Sequence, residues 1–393
     1  MTNAADSDVT KFPRKEQPVA VPIGLSHLRR GRGALSNASG RFEPQVSVAS
    51  PVEVGDHWSL EGESSASEKT QWLKDATRSV ITTNTSPDIY FDQSVNPYRG
   101  CEHGCIYCFA RPTHTYLGHS AGLDFERILY AKERAAELLR LELSKPGYTC
   151  QPIAIGVNTD AYQPLERKLK LTRQLLTVFD ETRHPVFMIT KSSLIERDID
   201  LLQSLAADAL VSVSVTLTTL DTTLARQLEP RATSPARRLK TLETLSKAGI
   251  RTRVSVSPII PALNEPEIER IIQAAADAGA ASASYIVLRL PHELATLFPE
   301  WLKAHYPLKA ARVLNAIKSL RRDKLYQSDF SNRMSGEGPR ADIIRRRFEA
   351  ACKRFGMPLD KTDRKLNTNV FVRPARPDST ATNAGTSHQL SLF

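Results

Sequence analysis

Long apolar runs are missing from this chain. No stretch of its 393 residues approaches the length of about twenty needed to cross a bilayer, which excludes a helical membrane span. The opening residues, Met1 to Gln17, are polar and hold no apolar core of the signal-peptide type. Cysteine is scarce as well. The five cysteines are an odd number, and three of them crowd into one short stretch, which argues against a disulfide framework and for a reducing, cytoplasmic setting. What is present is ordinary for a globular protein: 41% hydrophobic and 24% charged residues. The length allows one large α/β domain with extensions, or two ordinary domains.

The crowded stretch is Asn96-Pro-Tyr-Arg-Gly-Cys-Glu-His-Gly-Cys-Ile-Tyr-Cys108, with Cys101, Cys105 and Cys108 in C-x3-C-x2-C spacing. Thiolate sulfur is a soft ligand that selects iron–sulfur clusters, zinc or Cu(I) over hard cations. Three thiolates can hold three corners of a cubane and leave the fourth iron open to a small molecule. Pro97, Gly100 and Gly104 suit a tight loop with the sulfurs turned inward. The competing reading is structural zinc. Zinc wants four protein ligands, and here only His103 stands ready as a fourth, since Cys150 and Cys352 lie apart.

Charge is uneven. The chain carries +10, yet Trp301 to Arg376 alone holds 19 Lys/Arg against 7 Asp/Glu, a net of +12. A concentrated basic excess suits a polyanion, because each neutralised phosphate releases counterions; a solvated basic face is the plainer alternative. The cluster His27-Leu-Arg-Arg-Gly-Arg-Gly33 has the same two readings.

In order along the chain, residues 1–77 lack sustained periodicity and read as a mobile N-terminal arm. Trp58 and Trp72 suggest that its later part packs on the body. Strand and helix signals then alternate. Strands are expected at Asp88–Val95, Ile153–Val157, Val186–Thr190, Leu210–Leu217, Arg251–Ser257 and Ser284–Leu290. Helices are expected at Asp124–Leu143, Leu165–Glu181, Arg197–Ala206, Pro235–Ala248 and Glu265–Ala278, with a sixth past Pro291. Alternation of this kind implies a parallel sheet with right-handed crossovers, and periodicity alone does not separate an open sheet from a barrel. The resulting division is an arm (1–77), a core (78–300), a basic and mainly helical region (301–376) and a disordered tail (377–393).

The cysteine stretch resembles the signature of radical S-adenosylmethionine (SAM) enzymes, with Tyr107 as the aromatic residue before the third cysteine. Together with Asn158-Thr-Asp-Ala-Tyr-Gln-Pro164, Thr190-Lys-Ser-Ser193 and Glu229-Pro-Arg-Ala232, it is similar to the DNA repair photolyase-like branch, relatives of spore photoproduct lyase. The resemblance spans about Ser79 to Pro291. It implies an α/β fold built as a partial (β/α)6 barrel whose cluster loop follows the first strand. It implies a 4Fe–4S cluster on Cys101, Cys105 and Cys108 that binds SAM, an external one-electron reductant, and a 5′-deoxyadenosyl radical acting on DNA in lesion repair. Active sites of parallel barrels gather at the carboxyl ends of the strands.

Each of those ends carries polar residues. Under the resemblance, Thr159 and Asp160 are expected at the SAM amino group, in place of the usual glycine-rich acidic motif. Capping of the next helix is the alternative use. Lys191 and the neighbouring hydroxyls suit the SAM carboxylate or a substrate phosphate, with capping and a surface ion pair as the alternative. Ser212 and Ser214 make one face of their strand polar, and Ser214 is taken with Tyr107 among the cofactor-binding candidates. Asn264 is a candidate for the ribose or for a cap. Glu229-Pro-Arg231 and Arg289-Leu-Pro-His-Glu293 mark two further ends, and Arg111, His114 and His119 lie close after the cysteines. The branch's lyase uses a cysteine near the end of the second strand, where this chain has Val157-Asn158; either Cys150 or a tyrosine such as Tyr162 substitutes, or the reaction differs.

The end of the chain, Gln389-Leu-Ser-Leu-Phe393, resembles the bacterial sliding-clamp binding motif, with Gln389, Leu390, Leu392 and Phe393 as anchors. Two rival functions stand beside DNA repair: a radical SAM enzyme modifying RNA or protein, and a non-catalytic metal-containing nucleic-acid- and clamp-binding module.

Overall fold

The computed structural model describes residues 31–42, 69–357 and 365–376. The clamp-like pentapeptide, Trp58 and most of the His27–Gly33 cluster lie outside the described residues. Among the described residues, ten strands form two sheets. They are β1 (Gln71–Lys74), β2 (Ile81–Thr83), β3 (Gln93–Val95), β4 (Tyr98–Arg99), β5 (Ile128–Ala131), β6 (Ile153–Ile155), β7 (Val186–Thr190), β8 (Val211–Thr216), β9 (Thr252–Ile259) and β10 (Ser282–Val287).

The larger sheet has the order β10-β9-β8-β7-β6-β3-β2. Every neighbouring pair from β3 to β10 is parallel, and β2 closes one edge antiparallel to β3. Consecutive strands are consecutive neighbours, with no reversal of direction across the sheet. A doubly wound sheet needs such a reversal. Its absence puts all the crossover helices on one side and curls the sheet into an open, partial (β/α)6 barrel.

The expected strands all appear; β7 has the expected bounds, and the others are shortened or shifted by a few residues. The first differs most: only Gln93–Val95 is strand, while Asp88 holds Arg333 in an ion pair of 2.6 Å. The long helix expected over Asp124–Leu143 is broken. It is a single turn, α1 (Asp124–Arg127), then β5, then α2 (Ala135–Leu143). Ile128-Leu-Tyr-Ala131 alternates half-buried and buried and pairs with both β1 and β4. Pairing partners distant in sequence override the helical pattern here. The helix expected over Leu165–Glu181 splits into α3 (Glu166–Leu169) and α4 (Leu171–Glu181) at Lys170, whose φ is 53°. There the Glu166 carboxylate accepts from the Thr172 amide at 3.1 Å. The remaining crossovers are α5 (Ile199–Ala207), α6 (Thr222–Leu228), α7 (Pro235–Lys247) and α8 (Ile268–Asp277). Past β10 follow α9 (Leu294–His305), α10 (Pro307–Lys318) and α11 (Pro339–Arg354), which packs beside α8.

The core lies between sheet and helices. Val211, Val213 and Val215 of β8 and Val254 and Val256 of β9 join Leu175, Leu202, Leu242 and Ile271 in it. Alternate residues therefore face the lumen, and they are polar: Ser212, Ser214 and Thr216 on β8, Arg253 and Ser255 on β9. In register, Ser214 lies opposite Arg253 and Thr216 opposite Ser255. At the amino ends of the strands, Leu366 packs on Ala154, Phe187 and Phe91. Asn367 donates to the Ala209 carbonyl at 3.1 Å and Val372 to that of Thr182 at 2.8 Å, so segment 365–376 covers this end of the barrel. The carboxyl ends carry the cysteine loop. Among the described residues, no helix is long and apolar enough to cross a membrane.

Candidate active site

The cysteine loop leaves the end of β3 and turns at once. Cys101 donates its amide to the Phe125 carbonyl at 3.0 Å, Cys108 to Cys105 at 3.2 Å, and Ile106 to Leu228 at 3.1 Å. All three thiols are free; Cys101 and Cys105 are buried and Cys108 is half-buried. They lie within electrostatic reach of one another. Burial pushes the Cys101 thiol well up, with Asp160, Cys105 and Cys108 adding to it. Burial likewise takes Cys105 to about 12 against the opposing pull of Lys191. Thiols so hard to ionise become thiolates when a metal cation supplies the missing charge. As placed, no three His, Cys, Asp or Glu side chains among the described residues enclose a point at ligand distance. The fit to a metal group therefore rests on the donor set: three soft, unoxidised sulfurs on one braced loop. His103, the fourth ligand that zinc would need, has its Nδ1 3.3 Å from the Asp160 carboxylate.

The brace is Arg111. Its guanidinium is fully buried and donates to four carbonyls: Cys105 at 2.8 Å, Gly104 at 3.0 Å, Gly122 at 2.8 Å and Ala121 at 3.2 Å. It also pairs with the buried Glu126 carboxylate. Glu126 in turn accepts from the amides of Gly33 at 3.0 Å and Ala34 at 2.8 Å, and Arg32 donates to its carbonyl at 2.9 Å. Residues 31–42 thus lie as a strap along the outside of the cysteine loop. A Cβ on Gly33 would fall 1.8 Å from the Gly104 carbonyl oxygen. Gly104 has φ +67°, and a Cβ there would meet Glu126 Oε2 at 2.7 Å. Both glycines are needed for the strap and loop to touch. Further along, Ser36 bonds Glu300 at 2.6 Å and Arg41 pairs with Glu293 at 2.6 Å, tying the strap to α9 and its approach.

A second group of side chains lies beside Cys105. The Tyr107 hydroxyl donates to Glu229 and lies 3.1 Å from Thr218 Oγ1. Glu229 pairs with Arg238, which is buried and also donates to the carbonyls of Thr233 at 2.6 Å and Thr216 at 3.1 Å. Burial alone would raise the Glu229 carboxyl, but Arg238 and Lys191 overcome it and bring it down to about 2. The Lys191 ammonium sits 5.8 Å from the centre of the Tyr107 ring and is held charged, despite burial, by Cys105 and Glu229. Arg238 escapes a sequence reading because it sits inside a regular helix. Its only trace is a charge on the same face as Thr241, Leu242 and Leu245.

Three of the strand-end candidates have their polar atoms taken up. Asp160 accepts from the Tyr162 amide at 2.9 Å, the Thr190 hydroxyl at 2.7 Å and the Lys191 amide at 2.8 Å, besides His103. It ties the ends of β6 and β7 to the cysteine loop. Thr159 donates to the Gly100 carbonyl at 2.6 Å. Asn264 accepts from Ile260 at 2.6 Å and donates to Thr218 at 2.7 Å and Pro258 at 2.9 Å, locking the ends of β8 and β9 together. Ser214 faces the lumen.

The remaining candidates are placed elsewhere. Tyr162 is buried in the core between sheet and helices and donates to Asp198 at 3.1 Å. Cys150 precedes β6, at the amino ends, where it acts on Tyr148. The structure brings neither to the cysteine loop. His114 bonds the Ile128 carbonyl at 2.8 Å, and His119 bonds the Tyr130 hydroxyl at 2.7 Å.

Residues 95–275 match the radical SAM superfamily, and the chain carries that domain. An uncharacterized protein of Mycobacterium tuberculosis is 34% identical over 224 residues, 56% of this chain and 66% of its own length. One from Methanocaldococcus jannaschii is 31% identical over 173 residues, 44% of this chain and 62% of its own. The chain thus spans just under two thirds of these relatives. Among solved structures, spore photoproduct lyase complexed with dinucleoside spore photoproduct superposes with a TM-score of 0.52. That match is 12% identical and covers 72% of this chain and 79% of the lyase. A point variant of the same lyase matches equally well. At that identity the likeness concerns the fold. Radical SAM enzymes work with a 4Fe–4S cluster and SAM, which agrees with three free thiols on one loop.

Proposed function

We propose that this radical SAM protein is a cytoplasmic DNA-modifying enzyme, of the lesion-repairing, spore photoproduct lyase-like kind, recruited to DNA through its C-terminal pentapeptide. Cys101, Cys105 and Cys108 would hold the 4Fe–4S cluster. The observation that carries the reading is the position of these three free thiols, at the carboxyl end of the first parallel strand of a sequentially ordered barrel with a polar lumen. When bound and supplied with one electron from an external reductant, the cluster and SAM provide a route to a carbon radical that removes hydrogen from a substrate.

The chain's own residues do the holding. Arg111 and Glu126 fix the loop's backbone, and the strap covers its outer side. Lys191 offers a half-buried cation suited to a carboxylate such as that of SAM. Tyr107 is fixed by Glu229 and Thr218, and Ser214 contributes to the polar lumen. Thr159, Asp160 and Asn264 act as positioning residues, since their polar atoms already join strand ends to one another. A DNA substrate is supported by exposed Lys303, Lys309, Arg312, Lys318 and Lys324, for which no ion-pair partner is found among the described residues. Much of the basic excess beyond them is internally matched: Arg322 with Glu337, Arg340 with Glu265 and Arg347 with Glu269. A base in a duplex has to leave the stack to reach a barrel mouth.

The test is product analysis. Reconstituted protein is given SAM, reductant and ultraviolet-irradiated DNA, and restored thymine is measured. Repair that disappears in Cys105→Ala supports the reading. Turnover only with RNA or protein substrates overturns it in favour of the rival modification. Clamp binding lost on deletion of Gln389–Phe393 tests the recruitment.

A further inference from the structure

The region after β10 brings Arg289 within electrostatic reach of both Arg333 and Arg321, with the Asp88 carboxylate beside Arg289 and Arg333. Arg321 is buried and donates to the Leu288 carbonyl at 2.8 Å, one residue before Arg289. The loop carrying Arg333 docks on the end of β10, the Val287 amide donating to the Met334 carbonyl at 2.8 Å. Arg333 pairs with Asp88 through both carboxylate oxygens, at 2.6 and 2.7 Å. Arg289 is left with an aromatic face: its guanidinium lies 4.8 Å from the centre of the Phe109 ring, on the residue directly after Cys108. Among the described residues, no hydrogen-bond or ion-pair partner of Arg289 is found. The charges disfavour one another. Burial and Arg333 lower the Arg289 pKa, and burial and Arg289 bring that of Arg321 down to about 10.

A purely structural role accounts for Arg321, which holds carbonyls, and for Arg333, which has its carboxylate. It leaves Arg289 unexplained, a half-buried cation on the cysteine-loop side of the strand end. The aromatic surroundings are also unusual. Phe109 and Phe330 are each 46% exposed, and each lies against a guanidinium, Arg333 being 4.5 Å from the Phe330 ring centre. Guanidinium groups suit phosphate oxygens in bidentate geometry, and exposed rings beside them stack unpaired bases.

We propose that Arg289, flanked by Phe109 and backed by Arg321 and Arg333, is a phosphodiester-binding subsite that seats an unpaired nucleotide of a DNA strand beside the cysteine loop. The subsite rests on the DNA reading above and adds where the strand lies. Its three arginines lie beyond residues 95–275, the span that matches the shared domain, while Phe109 lies within it.

Binding of a fluorescent ten-nucleotide thymidine strand to the anaerobically reconstituted full chain tests it, measured at several salt concentrations. Arg289→Gln is expected to weaken binding about tenfold and to reduce the slope of log affinity against log salt by about 0.7, the loss of one phosphate contact on a single strand. Arg289→Lys, which keeps the charge, should retain most of the slope. Melting curves and iron content check that both variants fold and load. If the wild-type chain binds the strand and Arg289→Gln binds it with the same affinity and slope, the subsite is overturned while the DNA reading stands. If the wild-type chain binds no strand, both fall.

Discussion

Replacing Arg111 with methionine tests the loop brace most severely. The substitution removes every donor of a guanidinium that serves four carbonyls and one carboxylate while keeping much of its volume. Glu126 would be left fully buried with only the Gly33 and Ala34 amides. Breaking a buried ion pair by removing one partner costs about 3–5 kcal/mol, and the surviving amides put this case near the lower end. The stripped carbonyls add about 1 kcal/mol, for a total of about 4 kcal/mol. Removing both charges, as Arg111→Met with Glu126→Gln, should cost less than the sum of the single changes by about 2 kcal/mol. The assay is urea unfolding of the anaerobically handled chain, with iron per chain measured after reconstitution. Arg111→Met should unfold at clearly lower urea and load less iron. Stability within about 1 kcal/mol of wild type, together with full iron, would refute the brace.

Gly104→Ala should destabilise the protein by about 1–3 kcal/mol, because a side chain is placed at positive φ against Glu126; thermal melting checks it. Asn264→Ala leaves one amide and two carbonyls without their partner, at a cost of about 2–3 kcal/mol. An unchanged urea midpoint would instead mean that Asn264 is free to serve a ligand. His184 supplies a pH signature. Burial lowers its pKa to about 4, against a backbone hydrogen bond that raises it, and its Nε2 bonds the Tyr148 hydroxyl at 2.7 Å. The unfolded chain takes up the proton near pH 6.5 and the folded chain does not, so the stabilisation present above pH 6.5 is lost as pH falls toward 4. Between pH 7 and 5 it should shrink by about 2 kcal/mol, and His184→Gln should flatten that part of the pH profile. Equal pH slopes in the two proteins would contradict it.

The barrel was legible because its strands are short, buried runs separated by helices of regular period, and because valine alternates with serine along β8. The cysteine loop announced itself by spacing. Strand β5 did not, since four residues inside a helical pattern are decided by pairing with β1 and β4, which sequence periodicity does not register. The strap was equally hidden. Its link to the loop runs through backbone amides to a carboxylate more than ninety residues away, and a Gly-Arg-Gly sequence looks the same whether it is docked or solvated. Asp160 and Asn264 were visible as polar strand ends, but capping, bracing and ligand binding ask for the same side chains. Only the geometry showed that their oxygens and nitrogens were already engaged. Arg111 appeared as a basic group near the cysteines, and its burial turned it into a support.

The proposed radical chemistry depends on the three thiols. Anaerobic reconstitution with iron and sulfide, followed by SAM and dithionite, measures this directly. About four iron and four sulfide per chain and release of 5′-deoxyadenosine are expected, both lost in Cys105→Ala. Zinc bound in place of iron, with SAM recovered intact, would contradict it.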